Sequence, residues 1–424
     1  MTLIFILFLV LLTFLGLPVF TAIGAGTLLA FQRAGLDPPL IFVELYRLAS
    51  LPALIAIPLF TFAGYVLAES KSPQRLLNLA NALFGWLPGG RGGGGLALVT
   101  LLSTALFTAF TGASGVTIIA LGGLLYPMLL KENYSERFSL GLITTTGSLG
   151  LLFPPSLPII LYGLIAQVSI DKLFIAGLVP GILLIVVLSV YSLLHDRKIN
   201  QPSIAFSWQT LAKCAREAVW EIPLPFLIIG GIYAGLFTAT EAASLMAFYV
   251  VIVECLIYRD VSFIRDLPRV MVKSMALVGA ILVVMGMALG LTNYLIDEQI
   301  PMKMFDGVHR YIGEKWLFLV ALNIFLLIMN MIEMFSAIII VVPLIVPVAL
   351  GYGVDPVHLG IVFLLNLEIG YMTAPFGLNL FLSSLRFNKP VTQVYRASFP
   401  FWLILLGVLI LVTYVPSLSL FLVK

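Results

Sequence analysis

Four short interruptions of apolar, uncharged stretches hold the side chains of this 424-residue sequence that are best suited to bind an ion or a small solute. They lie at residues 111–115, 147–156, 333–336 and 373–377. Three of them combine glycine or proline with hydroxyl side chains, and the remaining one carries an acid and a serine. The hydroxyl groups in or beside the interruptions belong to Thr111, Ser114, Ser148, Ser156, Ser336 and Thr373.

The chemistry of these interruptions suits a cation and an anion together. A helix that ends inside the membrane leaves N–H groups unpaired, which attract anions, whereas hydroxyl and unwound carbonyl oxygens suit Na⁺. Neither lysine nor arginine occurs within residues 96–130, 138–170, 317–354 or 360–385. An anionic solute would therefore be neutralised by helix dipoles and bound Na⁺. The alternative for any single hydroxyl is a hydrogen bond to a carbonyl of its own preceding turn.

Two carboxylates stand within apolar stretches, where burial is costly and a functional role is the default interpretation. Glu333 is suited to hold a cation or take a proton, and a structural role, accepting bonds from nearby N–H groups, is the alternative. For Glu368, just before Gly370, a packing or helix-pairing role is an equal alternative. Glu241 follows Thr238 at a helix start, where a carboxylate is expected to cap the helix.

The elements that position these residues follow from the lengths of the uncharged stretches. Residues 96–130 form a run of about 35, whereas roughly 20 suffice for one crossing. Dividing the run at residues 112–115 leaves two arms of roughly 15 residues, which predicts a re-entrant hairpin with its tip near mid-membrane. Residues 138–170 can cross once, but Pro154, Pro155 and Pro158 lack the N–H donors of a continuous helix, which predicts a broken helix.

The second half of the chain repeats this order. Residues 316–350 are interrupted near 333–336, and residues 358–386 are interrupted at 373–377. Ser114 precedes Pro155 by 41 positions, and Ser336 precedes Pro375 by 39. Basic clusters past residue 90 obey the positive-inside rule if the first hairpin enters from the cytoplasm and the second from outside. An inverted repeat is therefore predicted, and the orientation of residues 1–90 stays open.

The expected fold class is an all-α polytopic membrane protein with an inverted repeat, two re-entrant hairpins and two broken helices. A composition of 61% hydrophobic and 10% charged residues, with a mean hydropathy of +1.12, excludes an ordinary soluble protein. The predicted divisions are N-terminal scaffold helices at 1–95, the first hairpin and broken helix at 96–170, scaffold helices and a cytoplasmic connector at 171–315, the second hairpin and broken helix at 316–386, and a C-terminal helix at 387–424.

Between these units the pattern is weaker. An amphipathic helix in the membrane interface is expected at residues 72–86, because apolar residues recur there at helical spacing. Loops are expected at 32–50, which contains Pro38 and Pro39, and at 297–315. A basic amphipathic segment at 259–273 is expected to precede a separate membrane helix at 274–296.

Several functions lack their motifs. HExxH, GxSxG, the P-loop and an Asp-rich pair for Mg²⁺–diphosphate are all missing, so the chain is expected to be no enzyme and to hydrolyse no ATP. A net charge of +3 is too small to suggest nucleic acid as a partner. Cys214 and Cys255 form no CxxC, and the three histidines have no spaced metal partner. Because the first basic residue is Arg33, the leading apolar segment is expected to be a retained helix.

At the four interruptions the sequence resembles the large membrane subunit of the tripartite ATP-independent periplasmic (TRAP) transporters. The similarity extends over essentially the whole chain. Its most specific segments are residues 110–115, 121–127, 147–163, 235–243, 353–358 and 373–381.

The resemblance implies an elevator-type importer of organic acids in the bacterial inner membrane, with Na⁺ as the coupling ion and no other cofactor. It implies two protein partners, a small four-helix membrane subunit and a periplasmic substrate-binding protein. The implied solute and Na⁺ positions are Thr111, Gly112, Ala113, Ser114, Gly115, Gly147, Ser148, Gly150, Pro154, Pro155, Ser156, Glu333, Ser336, Gly370, Thr373, Ala374, Pro375, Gly377 and Asn379. Those expected to hold Na⁺ are Ser114, Gly147, Glu333, Ser336 and Thr373.

Two departures from the family pattern and three rival functions remain. Family members commonly carry aspartate at 333 and proline at 374, where this chain has Glu333 and Ala374. The rivals are a stand-alone Na⁺- or H⁺-coupled dicarboxylate carrier of the related divalent-anion symporter type, an intramembrane enzyme, and a channel. The missing motifs disfavour the enzyme, and no repeated filter-like segment supports the channel.

Overall fold

The structure is a computed structural model that describes residues 8–9, 11–12, 17–86, 95–196, 206–329, 334–374 and 377–423. Within these residues, seven helices are long and apolar enough to cross a membrane, or up to nine spans if each of two bent helix pairs crosses once. The predicted class, an all-α polytopic membrane fold, is confirmed.

The helices alternate between long apolar spans and short segments. In the first half they are α1 Val19–Ala34, α2 Leu40–Ala49, α3 Ala56–Glu69, α4 Ser72–Phe84, α5 Gly95–Thr111, α6 Ser114–Lys131, α7 Glu136–Thr146, α8 Leu157–Ala166, α9 Ile170–Asp196 and α10 Trp208–Glu217. In the second half they are α11 Pro223–Tyr233, α12 Ala239–Ile257, α13 Asp266–Asp297, α14 Ile300–Tyr311, α15 Lys315–Met329, α16 Met334–Gly351, α17 Pro356–Gly370, α18 Leu378–Phe387, α19 Val391–Tyr414 and α20 Ser417–Leu420.

The first hairpin consists of α5 and α6, joined by two residues. Its arms have 17 and 18 residues, so they are longer than the roughly 15 expected, and length alone would allow α6 to cross. The chain nevertheless turns back after α5, as is shown by the distance of 2.7 Å between Thr108 Oγ1 and Thr117 Oγ1. Nine residues of continuous helix would separate these side chains by about 13 Å along the axis. The interruption predicted at residues 111–115 is therefore a hairpin turn, which the structure narrows to residues 112–113.

The first broken helix consists of α7, a 3₁₀ turn at Leu149–Leu152 and α8, with a bend of 45°. Residues 153–155 leave helical geometry at the two prolines, and Ser156 begins α8 as its N-cap. The prediction of a helix broken at Pro154 and Pro155 is confirmed.

The second half contains the corresponding elements. Helices α15 and α16 occupy the positions predicted for the arms of the second hairpin, and α17 and α18 those predicted for the halves of the second broken helix. Residues 330–333, which join α15 to α16, lie outside the described residues. Ser336 is the third residue of α16. Glu333 and Pro375, two predicted binding residues, lie outside the described residues.

The two halves pack against each other reciprocally. The second arm of the first hairpin, α6, contacts α18, the second part of the broken helix in the other half. In the same way α16 contacts α8. The first part of each broken helix contacts the long helix that comes after the broken helix of the other half. These pairs are α7 with α19 and α17 with α9. Reciprocal contacts of this kind are what a two-fold relation between repeats produces.

Three regions differ from the sequence expectations. Helix α2 occupies much of the predicted loop at 32–50, because Pro39 stands at its N-cap, where a proline costs no hydrogen bond. Helix α14 occupies the predicted loop at 297–315 and turns by 116° into α15. The predicted boundary at 273–274 does not exist, since α13 is one helix of 32 residues. Buried Leu267 and Val270 continue its packed face beyond the apolar stretch.

Candidate functional site

The tip of the first hairpin is held to the first broken helix by a threonine that sequence reasoning did not select. Thr108 Oγ1 donates to the carbonyl oxygen of Gly147, at 2.9 Å, and it also contacts Thr117 across the hairpin. Both threonines are fully buried. The signal was present in the sequence, since Thr108 precedes Thr111 by three residues and Thr117 follows Ser114 by three. At that spacing the side chains of each arm share a helix face.

Two glycines allow the backbones to meet there. Gly112 has φ of +64°, and a Cβ on it would lie 2.8 Å from Leu157 Cγ at the start of α8. A Cβ on Gly150 would lie 2.3 Å from the carbonyl oxygen of Ala105, in the backbone of α5. Glycine is required at both positions, because a side chain would push the hairpin away from the broken helix.

The second break reaches the same cluster through Asn379. Its Nδ2 donates to the carbonyl oxygen of Thr144 in α7, at 3.2 Å, and Thr144 Oγ1 donates to Ser383 Oγ, at 2.9 Å. Gly115 of the first hairpin lies against α18, since a Cβ there would be 2.7 Å from Leu382 Cδ1. Three of the four predicted interruptions are therefore neighbours in the fold.

Three buried oxygens at these interruptions have no hydrogen-bond partner in the described part of the chain. They are Thr111 Oγ1 at the hairpin tip, Ser156 Oγ at the first break and Asn379 Oδ1 at the second. None of the three residues is more than 1% exposed. An unpaired buried polar atom costs about 1–3 kcal/mol, and native proteins keep few of them. A cation that prefers oxygen ligands is one kind of partner that would satisfy such an oxygen.

Three helices begin at these interruptions without a side-chain cap. The N-cap residues are Ala113 for α6, Ser156 for α8 and Gly377 for α18, and none makes a side-chain bond to its helix. Each such N-terminus carries a partial charge of roughly +0.5. These partial charges favour an anion. Because the surrounding stretches contain no lysine or arginine, no basic side chain within them adds to that positive charge.

The other predicted residues fall into three groups. Thr373 is engaged, since its Oγ1 donates to the carbonyl oxygen of Ile369 at 2.8 Å and accepts from Trp402 Nε1 at 2.9 Å. Ser148 Oγ donates to its own helix, to the carbonyl oxygen of Thr145. The remaining described positions are buried or half-buried within the interruptions or at their edges: Ala113, Ser114, Gly115, Gly147, Pro154, Pro155, Ser336, Gly370, Ala374 and Gly377.

The titratable residues of the described structure do not cluster as transition-metal ligands do. Within the described ranges, no group of three His, Cys, Asp or Glu side chains could hold a metal ion. His358 is structural, because its ring nitrogens lie 2.7 Å from Ser419 Oγ and 3.3 Å from the carbonyl oxygen of Thr413. Glu241 closes a capping box with Thr238, as the sequence indicated.

A cavity of about 660 Å³ lies between α8 and α16 on one side and α12 and α13 on the other. Its polar lining includes Gln167, Asp171, Thr240 and Asn293, and residues just before α3 complete it. We call it the outer cavity, because the positive-inside rule places these helix ends outside.

Similarity to known proteins identifies the family of this chain. A sequence profile described as "Tripartite ATP-independent periplasmic transporter, DctM component" matches residues 5–418. The chain belongs to this family. Similarity to a solved structure agrees with the fold: the Alcanivorax borkumensis YdaH transporter matches with a TM-score of 0.61 over 89% of this chain and 87% of that one, at 15% identity.

Relatives within the family carry different substrate names. The C4-dicarboxylate TRAP transporter large permease protein DctM of Pseudomonas aeruginosa is 36% identical, over 94% of this chain and 92% of that one. The ectoine/5-hydroxyectoine large permease protein UehC of Ruegeria pomeroyi is 32% identical, over 97% and 96%. The isethionate permease protein DctMQ of Oleidesulfovibrio alaskensis is 34% identical over 98% of this chain, which spans 65% of that longer protein. This chain is thus a TRAP transporter large permease component.

Proposed function

We propose that this permease component imports an organic acid across the bacterial inner membrane, driven by Na⁺. In this proposal it works with a small four-helix membrane subunit and a periplasmic substrate-binding protein. The observation that carries the proposal is the set of three unpaired oxygens, on Thr111, Ser156 and Asn379, beside three uncapped helix N-termini. Oxygens without partners suit Na⁺, and helix N-termini suit a carboxylate.

The two ligands would assist each other. Bound Na⁺ supplies positive charge to a site whose surrounding stretches contain no lysine or arginine, and it orders the hairpin tip against both breaks. The solute then completes the same site, so each ligand raises the affinity for the other by the same factor. The broken helices and hairpins would move together as the transport domain of an elevator, with the other helices as its scaffold. The outer cavity would admit the solute from the binding protein.

The test is uptake into proteoliposomes that contain the two membrane subunits. Candidate organic acids are supplied with or without the purified binding protein, and with an inward gradient of Na⁺ or, as the control, of K⁺. We expect accumulation only when the binding protein and the Na⁺ gradient are both present. Accumulation that ignores both would overturn the proposal and support a stand-alone carrier.

A further inference from the structure

Glu368 is an intramembrane acid that the proposed solute and Na⁺ site leaves unused. Glu368 lies in α17, two residues before the helix ends at Gly370 and the second break begins. Its side chain is 0% exposed. Neither carboxyl oxygen has a hydrogen-bond partner among the residues that the structure describes.

No ionisable side chain among the described residues is bonded to this carboxyl. The elements that contact α17 are α8, α9, α15, α16, α19, α20 and the 3₁₀ turn at Leu149–Leu152. Their titratable residues are Tyr162, Asp171, Lys172, Tyr191, His195, Asp196, Lys315, Tyr395, Arg396 and Tyr414. Those of α9, α15 and α19 stand in the first or last six residues of their helices, and Tyr162 is the sixth of the ten residues of α8. Glu368 faces the interior of these helices, near the break.

Two further candidates, Tyr162 and His358, are committed elsewhere. The hydroxyl of Tyr162 donates to the carbonyl oxygen of Pro356, at 2.8 Å, which lies at the opposite end of α17. That end is about 18 Å from Glu368 at 1.5 Å per residue. His358, ten residues before Glu368 on the same helix, is bonded to α20 and α19.

An ionised carboxylate in this place is excluded on energetic grounds. Burying an unpaired charge at low dielectric costs so much that the group takes up a proton instead. Bound Na⁺ would need several oxygen ligands around it, as hard cations do. Neither Glu368 oxygen has a hydrogen-bond partner in the described structure, and no cluster of three acidic, histidine or cysteine side chains there includes Glu368.

We propose that Glu368 is a proton-binding site of the membrane domain, occupied in this conformation and separate from the oxygens assigned to Na⁺. The carboxyl is held as a neutral acid while α17 is closely packed. It releases the proton when water or a cation reaches it, which rearrangement of the adjacent break at residues 371–374 would allow. The permease therefore carries a titrating acid in addition to its Na⁺ site, and this inference does not depend on which solute is carried.

The test is infrared spectroscopy of the full-length permease in lipid nanodiscs, without solute or partner proteins. Near neutral pH the wild type should show a carbonyl band of a neutral carboxylic acid, and Glu368→Gln should lose it. Glu368→Asp should keep an acid band at a shifted position, and it serves as the second variant if Glu368→Gln fails to fold. The control, Glu298→Gln, removes an exposed acid and should change only carboxylate bands.

Titration separates a binding site from an inert neutral side chain. We expect the wild-type acid band to be replaced by carboxylate bands as the pH is raised through the alkaline range, while the protein stays folded. A neutral-acid band of equal intensity in the wild type and in Glu368→Gln near neutral pH would overturn the proposal, since Glu368 would then be ionised. An acid band that persists at alkaline pH in folded protein would also overturn it. Neither result bears on Na⁺-driven uptake, which is tested separately.

Discussion

Single hydroxyl groups in the hairpins and breaks divide into those that serve their own helix and those that do not. The common fate of Ser and Thr in apolar helices, a bond to a preceding carbonyl, applies to Thr100, Thr373 and Ser148. Thr111 and Ser156 instead keep buried oxygens that have no partner in the described structure. The unpaired hydroxyls are the better candidates for ligands, because a bound cation would remove the cost of burying them.

The first prediction compares two buried threonines of α5. Thr111→Val should leave the thermal stability in KCl unchanged or higher by about 1 kcal/mol, because it removes a polar atom that has no partner. It should abolish the extra stabilisation that NaCl gives over KCl at equal ionic strength, since a ligand stabilises only the state that binds it. Melting temperatures in both salts measure this.

The control for this prediction is Thr100→Val. Thr100 is equally buried but donates to the carbonyl oxygen of Leu96, at 2.8 Å. Its variant should keep the full difference between the two salts. A wild-type Na⁺ effect in Thr111→Val would show that Thr111 is no ligand.

Helix α4 is attached to the rest of the protein by a cluster of charged side chains. This amphipathic helix precedes the first hairpin, and its Arg75 donates to Glu221, Glu254 and Asp260 on and beside α11 and α12. The guanidinium also lies 3.8 Å from the ring centroid of Tyr258. Although burial alone would lower the pKa of Arg75, the bond to Asp260 and the other carboxylates raise it, so the arginine stays charged. The cluster fixes α4 to the helices that follow it.

The second prediction concerns this cluster. Arg75→Ala should cost about 3–5 kcal/mol of unfolding free energy, because it leaves Glu221 and Glu254 buried without their cation. Arg75→Lys should cost less, since it keeps the charge but not the fork of donors. The control, Lys273→Ala, breaks the half-exposed pair with Glu69 and should cost about 0–1 kcal/mol. Thermal or chemical unfolding of the purified variants measures these differences.

The pH dependence of Arg75→Ala has a definite sign. Burial raises the pKa of Glu221 while Arg75 lowers it, and without Arg75 the main lowering influence is lost, leaving the weaker one of the Tyr258 hydroxyl that donates to Glu221. A folded-state pKa above the unfolded value gives stability that is complete at low pH and is lost as the pH rises. The stability deficit of Arg75→Ala should therefore shrink as the pH falls from about 7 to about 5, and a deficit that grows instead would contradict this account.

The arrangement of the whole molecule in the membrane follows from contacts between distant basic segments. Lys389 pairs with Glu136, and Arg137 donates to the carbonyl oxygen of Arg396, so the ends of α7 and α19 share one face. Lys273 donates to Glu69, which places the end of α3 beside the basic segment at 259–273. Since that segment is assigned to the cytoplasm by the positive-inside rule, the structure orients the helices before residue 90, which the charges alone left open.

The third prediction tests this orientation. In a background in which Cys214 and Cys255 are replaced by serine, Ser50→Cys should react with a membrane-impermeant maleimide in intact cells, because residues beside it line the outer cavity. Lys71→Cys should react only after the membrane is opened. Lys71 is 79% exposed, so poor access within the protein would not explain a negative result. The reverse pattern would invert the assigned topology.

Much of the fold was determined by the sequence alone. Uncharged runs longer than a bilayer, glycine and proline at matched intervals, and basic clusters at alternate ends predicted two hairpins, two broken helices and an inverted repeat. These features are local, because each depends on which residues a helix tolerates at membrane depth. The predictions of loops at 32–50 and 297–315 were wrong. Polarity and proline content indicated loops there, but short amphipathic helices with an N-terminal proline share both features.

Only the tertiary structure decided which oxygens remain unpaired. Thr111, Thr373 and Ser156 look alike in sequence, yet Trp402 binds Thr373 from 29 positions away, while the other two have no partner in the described chain. The same holds for Glu368. That its carboxyl has no hydrogen-bond partner depends on which side chains seven packed elements place around it. Hydrogen-bond partners and local dielectric are properties of packing between distant segments. A single sequence carries the donors and acceptors, but the fold alone determines which of them are left to bind a cation or a proton.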